Sequence, residues 1–261
     1  MHTAQFNQLT TWFDAYVQPF LETDAEGVKN IQLKIEHTGK VCEAMAQLAS
    51  GEKLSENQTL IASAVALLHD VGRFPQYQRW RTFRDSESDN HARLAIDVIR
   101  QEKLLDKFDP AERLLIEEAI RFHNLLEVPA QFQSASRLYI NLIRDADKID
   151  IWRVFTELLA QAPEERASAA TLGLPDIPDE VTAACVAALS GGRIVQLDSA
   201  RTLNDFKLLL ISWVYDLSCS TSGRILLERG YIPALAESLP KRDDVTAAVA
   251  QAQSALMVLS A

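Results

Sequence analysis

Cysteine is scarce. Cys42, Cys185 and Cys219 lie far apart, with no C-x-x-C spacing. They form no redox or disulfide pattern and read as small buried residues of a reducing compartment. Basic charge is also short: 26 Lys and Arg stand against 36 Asp and Glu, a net charge of −10. That excludes broad, nonspecific nucleic-acid binding, which needs a basic face, and leaves room for a small basic pocket. No apolar run is long enough to cross a bilayer; Leu60–Leu68 falls far short. Met1-His2-Thr3-Ala4-Gln5 shows no basic stretch leading into an apolar core, so no signal peptide and a cytoplasmic setting are expected. Period-two alternation and β-branched runs are few, which argues against a sheet.

What is present repeats at three and four residues. An all-α protein is expected, with helices near 5–21, 25–49, 56–70, 91–102, 110–124 and 134–159. Residues 71–90 read as a long loop with at most one helical turn, rich in arginine and aromatics. Residues 161–180 hold Pro163, Gly173, Pro175 and Pro178 and mark a boundary. The expected organisation is a core over 1–160 and a helical extension over 161–261 packed on it. Helices in the extension are expected near 181–190, 203–219, 223–229 and 243–259.

Histidine is scarce too, with five in the chain and none after His123. Yet four of them fall on apolar faces. His37 continues the stripe Leu33, Val41, Ala44, Leu48; His91 begins Leu94, Ala95, Val98; His123 ends Ile116, Ala119, Ile120. His69 and Asp70 close the apolar run Leu60–Leu68, where an ionised carboxylate is costly unless paired. In 134–159, Asp147 lies on one apolar stripe with Ile140, Ile143, Ile151 and Val154, and Asp145 lies on a second with Leu138, Leu142, Ile149 and Trp152. A single histidine on an apolar face is usually a hydrogen-bonded core residue. Four of them with two carboxylates, from five helices, instead match what a metal centre in a helical bundle requires.

The order His…His-Asp…His…His…Asp resembles the HD-domain superfamily of metal-dependent phosphohydrolases. The likeness spans residues 30–155 and includes Leu67-Leu68-His69-Asp70-Val71-Gly72-Arg73-Phe74, Asp89-Asn90-His91-Ala92 and Arg144-Asp145-Ala146-Asp147-Lys148-Ile149-Asp150. It implies an HD-domain helical bundle with additional C-terminal helices. It implies a first ion on His37, His69, Asp70 and Asp147, with Asp147 preferred to Asp145. Asp70 would bridge to a second ion on His91 and His123. The ions would be divalent: Mn, Fe, Co, Ni, Zn or Mg. Two such ions activate a bridging water as nucleophile and neutralise phosphate oxygens. The implied activity is hydrolysis of a phosphoester. Two competing readings are a mixed-valence di-iron oxygenase with the same ligand set and a noncatalytic ligand-binding domain.

Phosphate also calls for cationic side chains, and guanidinium forks suit it. Arg73, next to the metal pair in sequence, is the favoured candidate, with Lys148 following Asp147. The expected catalytic group is therefore Asp70, Arg73 and Lys148. Arg79, Arg81, Arg84 and Arg144 serve equally as a solvated face or as partners of Asp85, Glu87 and Asp89. Phe74, Tyr77 and Trp80 either stack a base or anchor the loop by packing. The expected substrate is a small phosphorylated compound, first a nucleotide. Neither a membrane partner nor a particular oligomeric state is indicated.

Overall fold

Helices account for the architecture throughout. The computed structural model describes residues 1–129, 132, 134–161 and 173–261, and among these no strand occurs. Of the boundary expected over 161–180, residues 162–172 lie outside the described residues. The helices are α1 (Thr3–Val17), α2 (Ala25–Gly51), α3 (Glu56–Leu68), α4 (Arg73–Trp80), α5 (His91–Gln101), α6 (Pro110–Phe122), α7 (Ser134–Ala160), α8 (Ala183–Ser190), α9 (Leu203–Ser212), α10 (Ser220–Arg229), α11 (Tyr231–Glu237) and α12 (Asp243–Ser260). None of the described helices is long and apolar enough to cross a membrane.

The chain forms two compact units. The first comprises Met1–Asp150; among the described residues the second comprises 151–161 and 173–261. The change of unit falls inside α7, whereas the division expected from sequence was placed after residue 160.

In the first unit α3 is the central helix and packs against α1, α2 and α6. Its apolar run explains this: Ile61, Ala62 and Ala64 to Leu68 are all buried. Its small residues let neighbours approach, and its large ones contribute about 1.5–3 kcal/mol each on burial. Polar side chains fix the helix starts. Asp24 accepts from Gly27 N at 2.7 Å, Asn90 from Arg93 N at 3.0 Å and Asp109 from Ala111 N at 2.9 Å, each worth about 1 kcal/mol. Ser55 and Gln58 form a reciprocal capping box.

The stretch expected to be a loop contains a full helix, α4. Pro75 is tolerated because it lies in the first turn. Arg81 ends the helix in the left-handed region at φ 57°. Its backbone N–H donates to Tyr77 O at 2.8 Å, and its guanidinium grips Asp24 at 2.7 and 2.8 Å. Phe74 is fully buried against Phe13, Tyr16 and Phe20. Tyr77 is buried against Phe83 and accepts from Asn30. These two rings therefore anchor the segment by packing.

In the second unit α8 packs on α9 and α12, and α10 on α11 and α12. Trp152, from the end of α7, is fully buried and donates to Leu210 O at 3.0 Å. The helix expected over 203–219 stops at Ser212 and continues as a 3-10 turn over Trp213–Asp216. α11, with Pro233 in its first turn, was not expected. Gly230, at φ 67°, separates it from α10.

Asp205 knits this unit together. It is fully buried and accepts from Thr182 N (2.6 Å), Thr182 Oγ1 (2.7 Å), Arg201 N (2.8 Å) and Thr202 N (3.1 Å). Burial opposes its ionisation, but these donors, led by Thr182, hold its pKa below the usual carboxylate value. A carboxyl with a depressed folded-state pKa stabilises above its unfolded pKa, and that contribution disappears as pH falls through the folded value. Asp205→Asn turns an amide N–H₂ toward donors and is expected to cost about 2 kcal/mol in urea unfolding at neutral pH. The deficit should begin to shrink as pH falls below about 4, the unfolded-state range, and vanish only below the lowered folded-state pKa, where the wild-type carboxyl is itself protonated.

Candidate metal centre

Five helices bring six side chains to one place in the first unit. His37 lies within α2, and Asp147 within α7. His69 and Asp70 directly follow the last residue of α3, His91 is the first residue of α5, and His123 caps the C-terminus of α6. His37, His69, Asp70, His91 and His123 are all buried, at 0–4% exposure. Asp147 is more open, with 22% of its side chain exposed.

One nitrogen of each ring is already committed. His69 Nδ1 lies 2.8 Å from Ala66 O, and His123 Nδ1 lies 2.7 Å from Ile120 O. Carbonyls only accept, so both Nδ1 atoms carry hydrogen and donate. His37 Nδ1 donates to Asp150 Oδ2 at 2.7 Å, and His91 Nδ1 donates to Asp85 Oδ2 at 2.7 Å. In a neutral imidazole this leaves Nε2 as a bare lone pair. All four Nε2 atoms face the cluster.

There they meet other acceptors. His91 Nε2 and His123 Nε2 are 3.1 Å apart. His37 Nε2 lies 3.1 Å from Asp147 Oδ1 and 3.6 Å from Asp70 Oδ2. His69 Nε2 lies 3.7 Å from Asp70 Oδ2 and 3.9 Å from Asp147 Oδ1, and His91 Nε2 lies 3.6 Å from Asp70 Oδ1. The buried Nε2 atoms of His37 and His69 make no hydrogen bond. Acceptors packed against acceptors repel one another unless a cation lies among them.

A proton is poorly suited to that task in the second half of the cluster. Burial, aided by the Arg73 charge, pushes His91 down to a pKa of about 4. Burial, aided by His69, pushes His123 to about 4. Burial also lowers His69. For His37, burial and Lys34 act downward, but Asp147 and Asp150 outweigh them and raise its pKa. Burial opposes ionisation of Asp70, yet Lys34, His69, Arg73 and His91 hold its carboxyl well below the usual range. Asp147 is likewise held low, chiefly by His37.

Two overlapping groups have ligand geometry. The donor atoms of His37, His69 and Asp70 lie within 4.8 Å of one another, and so do those of Asp70, His91 and His123. Asp70 belongs to both. Imidazole and carboxylate donors in this number suit a divalent ion, and the orphaned Nε2 atoms fit one.

The cationic candidates separate. Arg73 stands at the cluster, with Nε 3.4 Å from Asp70 Oδ1 and Nη1 donating to Phe83 O (2.6 Å), Gln76 Oε1 (2.9 Å) and Asp85 Oδ1 (3.1 Å). Lys148 is buried beside Asp147 in sequence. Arg79 lies over Trp80, Arg81 pairs with Asp24, and Arg84 pairs with Glu87. Arg144 is not on a solvated face. It is buried and donates to His123 O at 3.1 Å, to Leu126 O at 3.2 Å and to Leu125 O, clamping the chain that leaves His123.

Two contributors, Lys34 and Asp150, escaped the sequence reading, and two that it named, Asp85 and Arg144, take roles it did not foresee. Lys34 Nζ donates to Asp70 Oδ2 at 2.9 Å and lies over the Phe83 ring. Its signal was available, since it precedes His37 by three residues on the same helix face. Asp150 follows Asp147 by three residues on the same helix, which places the two on a shared face. Asp85 gave no periodic signal, because it sits on a short 3-10 turn. Arg144 reads as an ordinary surface charge.

Searches of curated proteins and of solved structures find no match to the chain. A family model described as HD domain matches residues 35–152, the stretch that carries all six side chains. The HD-domain family consists generally of metal-dependent hydrolases, and over residues 35–152 this chain is an HD domain.

Proposed function

We propose that the protein is a binuclear, metal-dependent phosphohydrolase acting on a small phosphorylated compound, with nucleotides the first class to test. One observation carries the reading: four histidines, each with Nδ1 tied to an acceptor, turn Nε2 toward one another and toward Asp70 and Asp147 in a buried cluster. In it, His37, His69, Asp70 and Asp147 would hold one ion, and Asp70, His91 and His123 would hold the other. Bound ions supply an acidified water and positive charge for phosphate oxygens.

The chain supplies the rest. The Nδ1 acceptors fix each ring, so the donors are preorganised and little reorganisation accompanies binding. Lys34 and Arg73 flank Asp70 on opposite oxygens and are proposed to meet the phosphate, with Lys148 as a third cation. Phe83 lies against both flanking cations and packs on Tyr77. Phe74 and Tyr77 are occupied by packing.

The test is turnover of p-nitrophenyl phosphate, its bis ester and a nucleotide panel after loading with Mn or Ni. Release of p-nitrophenol from the esters, or of phosphate from a nucleotide, dependent on added ion is expected. Oxygen uptake by iron-loaded protein with no phosphate release would move the chain to the oxygenase reading. Binding of ions with no turnover of any kind would favour the noncatalytic one.

A further inference from the structure

We propose that Asp85 is the positioning residue of the second half of the centre, so that the short turn carrying it sets how tightly that half holds its ion. The inference rests on the two-ion reading above.

The two halves are backed in parallel ways. Each has one histidine held by the carbonyl three residues before it: His69 by Ala66, His123 by Ile120. Each has one held by a carboxylate: His37 by Asp150, His91 by Asp85. The carboxylates differ in setting. Asp150 is 1% exposed and lies in α7. Asp85 has 31% of its side chain exposed and opens the 3-10 turn Asp85–Glu87, between α4 and α5.

Asp85 also collects more than a histidine. Its Oδ1 accepts from Arg73 Nη1 at 3.1 Å and Gln76 Nε2 at 3.0 Å, and its Oδ2 accepts from Asn124 Nδ2 at 3.2 Å. Asn124 directly follows His123. One carboxylate therefore holds the ring of His91 and the residue next to His123. Gln76, fully buried, ties the turn down by donating also to Ser88 Oγ and Asp89 O.

A carboxylate behind Nδ1–H fixes the ring and makes Nε2 a stronger donor, and losing such a partner typically lowers metal affinity 10–100-fold. Asp85→Asn removes the charge and must turn N–H₂ toward at least one of four donors. The effect should fall on the His91–His123 half, while the Asp150-backed half keeps its affinity.

The experiment is calorimetric titration of Mn(II) into the metal-stripped full chain. Wild type should show two sites. Asp85→Asn should weaken one of them about tenfold or more and leave the other within about twofold. Asp150→Asn should weaken the other site instead. Glu87→Gln, on the same turn but paired only with Arg84, should match wild type, and Asp85→Glu should recover part of the loss. Thermal unfolding of each metal-free variant checks the fold. If Asp85→Asn does not fold, Asn124→Ala removes one arm of the network and should weaken the same site. Two unaltered sites, or equal weakening of both, in the folded variant overturns the proposal alone. Fewer than two sites in wild type overturns the two-ion reading and this inference with it.

Discussion

Asp70→Ala is expected to abolish binding of both ions and to lower phosphoester turnover about a thousandfold, close to 4 kcal/mol of transition-state stabilisation. Asp70 is the group shared by the two triads. Its carboxylate also balances Lys34 on one oxygen and Arg73 on the other. Removing it leaves two cations facing a cluster of imidazoles, which repels an incoming metal as well as losing a ligand. Asp70→Asn keeps the shape and should give the same loss of ions with less disturbance of the metal-free fold. His91→Ala should instead weaken mainly the second ion, because that ring touches only the second triad. Metal content after loading and desalting, read beside turnover, checks all three variants. Full activity and full metal content in Asp70→Ala would show that the centre is misassigned.

Gly72→Ala is the second large effect. Gly72 follows the His69–Asp70 turn and lies directly against the first turns of α5. A Cβ there would press on backbone atoms of His91, Leu94 and Ala95, with Leu94 C at 2.9 Å the most distant of the three. No flexible side chain can move aside, so α5 itself must shift. An overpacked core contact of this kind costs about 1–3 kcal/mol, and a contact with backbone belongs at the upper end. The shift also carries His91 away from Asp70, now 3.6 Å from its Nε2. Thermal unfolding should therefore show a lower midpoint, and the loaded protein should retain less of the second ion. An unchanged midpoint with two ions retained would mean that α5 does not rest on this glycine.

The clustering of these side chains was legible because they interrupt apolar stripes. A histidine at the end of Ile116, Ala119, Ile120 can only point inward, and the same holds for His37 among Leu33, Val41 and Ala44. The choice between Asp145 and Asp147 was not legible from the stripes, and the reason is physical. α7 buries residues on both of them, including Ile140, Ile143, Leu142 and Ile149, so pattern alone assigns no inner face. The structure brings Asp147, not Asp145, to His37 and His69. What the stripes could not reveal were the groups behind the ligands. Asp85 lies on a turn without period, and the three-residue spacing of Asp150 from Asp147 marks a shared face without marking a partner for histidine. Helix α4 was hidden because Pro75 and the arginines resemble a loop, although a proline in a first helical turn costs no hydrogen bond.

The central claim is that Asp70 sits between two ions. Anomalous scattering from a crystal of the Mn-loaded protein tests it most directly. Two peaks are predicted, one beside His37, His69 and Asp147 and one beside His91 and His123, with Asp70 contacting both. A cluster with no peak, or a single peak that leaves His91 and His123 uncoordinated, would contradict the account.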